Sequence, residues 1–401
     1  MASHASLNLQ IKSELGQYMT PPEIARFMVA MFPDRNLDVC NLLDAGAGVG
    51  SLSSAFADRF INGGFSFREV KIHAYEMCRA LSAQLKYNLD GYRQINANII
   101  NKDFIESAVV DILRGERPFS HAILNPPYKK INSNSAHRQL IRRVGIETVN
   151  LYSAFVALAL EMMMPGGIVV AIIPRSFCNG PYYKPFRQFI MKRAAIRHIH
   201  LFSARDKIFK DDDVLQENII IMLERDAEQS SVTVSTSTDS TFADLASREY
   251  PFSDIVPPYF DDAFLFIPTK EHEVFTSLDG ADCSLESLGL SISTGPVVDF
   301  RLKEFLRDMP SEDTVPLLYP AHFSETGLNW PLLNSKKSNA IVRNEYTKKW
   351  LYPIGSYCVV RRFSSKEEKK RIVAYVLEGD SLAQSEMIGL ENHLNVFHIN
   401  K

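Results

Sequence analysis

The residues best placed to do chemistry are Asn125-Pro126-Pro127-Tyr128, which close the apolar run His121-Ala122-Ile123-Leu124. Neither proline has an N–H and each fixes its φ, so strand pairing stops there and backbone carbonyls are left pointing outward. An amide side chain, free carbonyls and a flat ring then share one edge. Two acceptors can hold an amino group, and the ring can stack on a planar nitrogen compound. A plain strand-terminating turn is the competing reading, and for Asn-Pro alone it is the preferred one.

Such an edge needs neighbouring strands that end beside it. Val39 to Leu43 is a buried-strand run closing on Asp44-Ala45-Gly46-Ala47-Gly48-Val49-Gly50, before a helix with Leu52, Phe56 and Phe60. A strand, a glycine turn and a helix let a ligand approach the backbone with the helix N-terminus facing it. The spacing Gly-x-Gly-x-Gly does not meet the dinucleotide fingerprint. Lys71 to Tyr75 reads as a second strand ending on Glu76, and Ile95 to Ile100 as a third ending near Asp103-Phe104. Each acid alone is more often a solvated helix cap. Their recurrence at successive strand ends is the signal, and an acid after the second strand suits ribose hydroxyls. Upstream, Thr20, Pro21 and Glu23 read as a helix start, followed by Ile24, Phe27, Met28 and Met31 at helical spacing.

After the tetrapeptide, Lys129 to Glu147 reads as a mobile loop and Asn150 to Met164 as an apolar helix. Ile168 to Ile173, Ile196 to Phe202 and Glu217 to Leu223 are three more strands, with a helix from Tyr183 to Lys192 and a charged loop from Asp206 to Asp213. The alternation predicts an α/β domain with a doubly wound sheet over residues 37–225. Ser230 to Thr241 is rich in Ser and Thr around Val232 and Val234, and reads as a linker plus a short strand. Towards Lys401 come short β-like pieces and scattered prolines. From Lys336 to Arg371 there are eleven Lys or Arg against three Glu, with Trp350, Tyr352, Tyr357 and Phe363 interleaved. A solvated charged face and a nucleic-acid surface both fit that stretch.

Bulk properties narrow the class. With 401 residues, 46% apolar and 23% charged, the chain has the length for two or three domains and the composition of a soluble globular protein. Apolar runs such as Gly167 to Pro174 are too short to span a bilayer, and Met1 to Gln17 lacks a secretory layout. The five cysteines, Cys40, Cys78, Cys178, Cys283 and Cys358, are scattered without metal spacing, which fits a reduced cytoplasmic compartment and no metal site. A net charge of −3 gives no global hint of nucleic acid, so any such contact must be local.

In this order, Gly16-Gln17-Tyr18-Met19-Thr20-Pro21-Pro22, the glycine loop, Glu76, Asp103-Phe104 and Asn-Pro-Pro-Tyr resemble the gamma-class adenine-N6 DNA methyltransferases of restriction–modification systems. The match covers residues 14–225. A weaker match to the recognition regions of the large restriction-associated methylases lies in Ser293-Thr294-Gly295, Leu318-Tyr319-Pro320 and Arg361 to Glu368.

The resemblance implies a Rossmann-like, mostly parallel seven-stranded sheet and S-adenosylmethionine as cofactor. Glu76 would take the cofactor's ribose hydroxyls and Asp103 its adenine amino group, with Phe104 packing on the ring. The loop of Asp44, Gly46, Gly48 and Gly50 would lie along the methionine part, and Tyr18, Thr20 and Pro21 near the carboxylate. Asn125 and the Pro126 carbonyl, with Pro127, would hold the target amino group of a flipped adenine. Tyr128 would stack on that base, and Phe209 is the candidate for the opposite face, with a loop anchor as its equal alternative.

Expected boundaries are an N-terminal cofactor-binding segment (residues 1–36), the catalytic domain (37–225), a linker with a short strand (226–245) and a mixed α+β target-recognition domain (246–401). In that last domain Lys336, Lys337, Lys348, Lys349, Arg361, Arg362 and Lys366 are the candidates for contacting double-stranded DNA. The chain ends soon after Gly389-Leu390-Glu391-Asn392-His393-Leu394, where such methylases usually continue. The expectation is therefore a truncated recognition domain, or one completed by a second polypeptide, with a cognate restriction endonuclease as a further partner and no membrane association. Two rivals remain open: a methyltransferase on protein glutamine or an RNA base, and a non-catalytic DNA-recognition subunit.

Overall fold

A computed structural model describes residues 19–203, 217–258, 262–268, 283, 285–324, 327–333, 336–364, 368, 370, 372–382 and 384–399. The chain divides into two compact units, Met1–Val274 and Phe275–Lys401.

The first unit is built on one sheet. Its strands are β1 (Val39–Ala45), β2 (Glu69–Tyr75), β3 (Ile95–Ile100), β4 (Phe119–Leu124), β5 (Met163–Pro174), β6 (Ala194–Phe202), β7 (Asn218–Arg225), β8 (Val232–Ser237) and β9 (Ala246–Tyr250). They lie in the order β3-β2-β1-β4-β5-β7-β6-β8-β9. β1 to β5 run parallel to their neighbours in that group, whereas β7 is antiparallel to both β5 and β6. The expected seven-stranded, mostly parallel sheet is thus replaced by a mixed sheet of nine strands.

One of the two extra strands, β8, is the short strand expected within the linker, and β9 comes from residues just beyond it. β8 pairs parallel with β6 and β9 antiparallel with β8. Composition does not show that β8 joins this sheet, because its buried residues are partly polar. Ser235 Oγ lies 2.7 Å from His198 Nε2 and 2.8 Å from His200 Nδ1, while Val232 and Val234 fill the apolar positions.

Period-two alternation along β5 explains why helices cover both faces. Val169, Ala171 and Ile173 enter one core, while Ile168, Val170 and Ile172 enter the other. The second core is covered by α1 (Pro22–Ala30), α2 (Ser51–Ile61) and α3 (Arg79–Asp90), through Met28, Phe56 and Leu85. The first is covered by α4 (Phe104–Leu113), α5 (Ala136–Arg143), α6 (Leu151–Met162) and α7 (Lys184–Arg193), through Ile105, Ile141, Leu158 and Phe186.

α5 lies inside the stretch expected to be a loop. Ser135 caps it by accepting from the Arg138 amide at 3.3 Å, and Ile141 is its one fully buried apolar anchor. A single anchor in eight residues carries too little periodicity to be read in advance. No described helix is long and apolar enough to cross a membrane.

In the second unit Leu290–Thr294, Leu394–Ile399, Tyr357–Arg361 and Ala374–Leu377 form a four-stranded antiparallel sheet, in that order. A five-stranded sheet joins Leu306–Arg307, Ala340–Val342, Thr314–Leu318, Met387–Leu390 and Leu351–Pro353. The described residues of the second unit contain strands and short 3₁₀ turns but no α-helix.

Candidate active site

Every described residue of the candidate site in the first unit lies at the carboxyl ends of β1 to β4 or just before α1. Asp44 is the penultimate residue of β1, and the chain then turns through Gly46, Gly48 and Gly50, with φ of +80°, +57° and +87°. Left-handed backbone at three alternate positions is what makes glycine necessary there. At Gly50 a Cβ would also fall 2.5 Å from Leu85 Cδ1, whereas above Gly48 there is open space. The Gly46 and Ala47 amides both donate to the Tyr75 carbonyl at 2.9 Å, which holds the loop over the end of β2.

Glu76 follows β2 and is buried. Its Oε2 accepts from the Gly48 amide at 2.9 Å and its Oε1 from the Cys78 amide at 2.8 Å. The acid and the glycine loop are therefore one construction, a carboxylate aligned by the backbone it faces. Asn101 Nδ2 donates to the Glu76 carbonyl at 2.8 Å and also to Ser82 Oγ, tying β3's exit to the same corner.

Asp103 is the N-cap of α4, its Oδ1 accepting from the Glu106 amide at 3.1 Å. Capping therefore uses one of its oxygens and leaves the other for a second role. Phe104 is buried, its ring centroid 5.2 Å from that of Tyr75 and 5.0 Å from that of Phe155.

Asp44 is wholly buried and accepts from Ser53 Oγ at 2.6 Å through Oδ2. Burial pushes its pKa up to about 7, against the bonds from Ser53, with the Glu76 charge adding to the rise. Its Oδ1 has no hydrogen-bond partner. A buried carboxylate oxygen left unpaired suits a cationic group from a ligand, so this corner fits the methionine part of S-adenosylmethionine.

The tetrapeptide stands beside this loop, since a Cβ on Gly46 would lie 3.9 Å from Pro127 Cδ. Asn125 Nδ2 donates to Thr20 Oγ1 at 3.0 Å, which fixes the amide's orientation. The helix start expected at Thr20, Pro21 and Glu23 is present as the start of α1, with Pro21 as N-cap and Pro22 first in the helix, while the Thr20 hydroxyl serves Asn125. The Tyr128 hydroxyl donates to Asn125 Oδ1 at 3.2 Å and lies 3.3 Å from the Ile172 carbonyl at the end of β5. Pro126 and Pro127 are buried, and the Tyr128 ring meets Tyr152 edge to face at 6.2 Å.

Several neighbours had no motif to reveal them. Tyr152, Tyr183, Ser176 and Asn150 form a polar, ring-lined cluster behind Tyr128, with Asn150 Nδ2 donating to the Tyr183 hydroxyl and Tyr152 and Tyr183 centroids 5.9 Å apart. Asn150 is the N-cap residue of α6 yet makes no side-chain cap bond. An Asn so placed but diverted elsewhere is a signal visible only once partners are known. Tyr18, Phe209 and Lys366 lie outside the described residues.

In the second unit the candidate DNA-contacting residues are divided between two sheets. Lys336 and Lys337 precede the Ala340–Val342 strand and Lys348 and Lys349 follow it, all four exposed. Lys337 Nζ reaches Asp299 Oδ2 at 2.9 Å, and Lys349 Nζ lies over the Tyr346 and Trp350 rings at 4.5 and 5.0 Å. Arg361 ends a strand of the other sheet and is held by both oxygens of Glu368 at 3.0 and 3.1 Å. Arg362 donates to the Asn392 carbonyl at 3.3 Å and covers the exposed Phe363 ring at 5.2 Å.

Comparison with known proteins gives this geometry a context. The family model for Eco57I restriction-modification methylases matches residues 23–209. The type II methyltransferase M.BsuBI of Bacillus subtilis is 51% identical over 404 residues, covering 98% of this chain and 80% of that protein. M.PstI of Providencia stuartii, also a type II methyltransferase, is 38% identical over 416 residues, covering 100% and 80%. Among solved structures, the type IIG restriction endonuclease BpuSI shares the fold with a TM-score of 0.54 at 13% identity, over 96% of this chain and 54% of that one.

Proposed function

The chain belongs to the family of type II methyltransferases that includes M.BsuBI and M.PstI, and on that premise we propose that it methylates the exocyclic amino nitrogen of adenine at a specific site in double-stranded DNA. S-adenosylmethionine is the methyl donor, and when bound it supplies an electrophilic methyl group on a sulfonium.

The adenine amino nitrogen is a poor nucleophile because its lone pair is delocalised into the ring. Asn125 Oδ1 and the Pro126 carbonyl accept its two hydrogens and draw the nitrogen towards a tetrahedral shape. This is catalysis by positioning and fixed dipoles, with no covalent enzyme intermediate. The observation that carries the reading is the Asn125 amide itself. Thr20 takes its Nδ2 hydrogen at 3.0 Å, so Oδ1 is the atom turned to the acceptor side, where the Tyr128 hydroxyl meets it at 3.2 Å. The amino group replaces that hydroxyl as the base enters, and the Tyr128 ring then serves as a stacking surface. A base inside a duplex is out of reach, so it must flip out, at a cost of a few kcal/mol.

On the cofactor side Glu76 accepts from the ribose hydroxyls, Asp103 from the adenine amino group, and Asp44 offers its unpartnered oxygen to the methionine ammonium. Thr20 and Pro21 stand at the start of α1, on the same side of Asn125. Lys336, Lys337, Lys348, Lys349 and Arg362 supply phosphate or base contacts, and Arg361, held by Glu368, orders the surface beside them. Protection of host DNA from a cognate restriction endonuclease is the biological role this assigns.

Tritiated methyl transfer from S-adenosylmethionine to genomic DNA, followed by nucleoside analysis, tests the reading. Label in N6-methyladenine is expected. Label confined to protein or RNA, or in another base, overturns it.

A further inference from the structure

The segment that follows the tetrapeptide sends one side chain to the cofactor side of the rim. His137, the second residue of α5, brings Nε2 to 3.0 Å from Asp103 Oδ2. Oδ1 of the same carboxyl is held by the Glu106 amide at 3.1 Å, so neither oxygen can rotate without breaking a bond. A carboxylate oxygen has more than one lone pair, and Oδ2 can accept a second N–H beside that of His137.

The helix that carries the imidazole is well anchored. Ile141 pins α5 to the core, and Arg138 and Arg142 both close on Glu147, the latter at 2.6 Å. The Asp103 and His137 side chains are 14% and 36% exposed, which places the pair at the rim, where a ligand can reach it, and not in the core.

We propose that His137 is a positioning residue for the cofactor, its Nε2–H holding Asp103 Oδ2 so that the remaining lone pair of that oxygen faces the adenine amino group. The inference rests on the reading of Asp103 as the acceptor for that group. It also gives α5 a purpose: the chain reaches this helix from the target-side tetrapeptide through residues 129–135, and so the target-side segment sets the cofactor-side acid.

Two ligands and three variants of the full chain test it. S-adenosylhomocysteine carries the amino group, and S-inosylhomocysteine has an oxo group in its place; calorimetry reads the Kd of each. His137→Ala is expected to weaken S-adenosylhomocysteine binding roughly tenfold while leaving S-inosylhomocysteine binding unchanged. His137→Gln keeps a donor at similar reach and should recover most of the loss. No loss, tighter binding, or an equal loss for both ligands in His137→Ala overturns the inference. Asp103→Asn separates this from the underlying reading, because it keeps an acceptor for the helix cap while presenting a donor to the ligand. If Asp103→Asn weakens S-adenosylhomocysteine binding and His137→Ala does not, His137 alone is wrongly placed. If Asp103→Asn binds like the wild type, the reading of Asp103 fails and takes the inference with it.

Discussion

The rim of the nine-stranded sheet and the basic stretch of the second unit solve opposite problems. At the rim the polar groups are buried or half-buried and oriented by other parts of the chain: Glu76 by the glycine loop, Asn125 by Thr20, Asp103 by α4 and α5. In the basic stretch Lys336, Lys337, Lys348, Lys349 and Arg362 are exposed, and the described contacts include aromatic faces, such as Lys349 on Tyr346 and Trp350. A site that must hold one small geometry within fractions of an ångström gains from buried, fixed dipoles. A surface that reads a long, hydrated polyanion gains from exposed cations that keep their charge. Substitutions should therefore cost far more at the rim than in the basic stretch, and their effects should differ in kind.

The largest loss is expected at Asn125. Asn125→Ala removes one acceptor of the amino group and should lower the methyl-transfer rate by about a thousandfold or more, the scale seen when one fixed dipole is removed. Cofactor affinity should stay within about twofold, since no cofactor contact is assigned to this side chain. Wild-type-like turnover in a stopped-flow or filter-binding assay would break the comparison at its strongest point.

Tyr128 sharpens it. Its hydroxyl bonds Asn125 while its ring is assigned to the base, so the two parts can be separated. Tyr128→Ala should cost roughly tenfold in turnover through lost stacking, and reduce the fluorescence of 2-aminopurine placed at the target. Tyr128→Phe keeps the ring and should stay within about threefold of wild type. If Phe loses as much as Ala, the hydroxyl and not the ring is what matters.

Much of the rim was legible because its residues are contiguous in sequence and chemically unusual. A double proline ends β4 by removing two donors, and glycines at alternate positions serve left-handed backbone; both leave a mark in the residue types themselves. What was not legible depends on tertiary pairing. Val232 and Val234 mark β8 as a short strand but not its place in the first unit's sheet, because its buried serines gain partners only when His198 and His200 lie alongside. α5 has one buried anchor, and His137 shows no role until α5 packs beside Asp103. Thr20 looked like a helix cap because Thr before Pro usually is one; its partner, Asn125, lies 105 positions away. In the second unit the short strands of two sheets interleave along the chain, and no local period marks which strand joins which sheet.

Asp44 tests the rim through pH. Its folded carboxyl titrates at about 7, raised from 3.8 chiefly by burial. For the free protein, the stability linked to this group is present below pH 3.8 and lost as pH rises through about 7, because the charged form is the one that burial penalises. A bound ammonium reverses the preference by pairing with the carboxylate. Affinity for S-adenosylhomocysteine should therefore rise by up to about tenfold between about pH 6 and 8, and Asp44→Asn should flatten that rise. A rise that survives in Asp44→Asn assigns the titration to another group.

The smallest effects belong to the basic stretch, and there the salt dependence tells more than the affinity. Lys349 is exposed and lies over its neighbouring rings, so Lys349→Ala should weaken DNA binding by about threefold at low salt, similarly for target and non-target duplexes. The slope of log affinity against log salt should fall by about one, the signature of one lost phosphate contact. Arg361 offers the contrast within the same unit. Its guanidinium is bidentate on Glu368 at 3.0 and 3.1 Å, so a free positive charge for phosphate is not what it presents. Arg361→Ala should leave the salt slope unchanged and show any effect as a small loss of stability, of about 0.5–1 kcal/mol. An unchanged slope in Lys349→Ala, or a lowered one in Arg361→Ala, would mean that exposure and ion pairing do not sort these cations and that the surface is organised by something other than free charge.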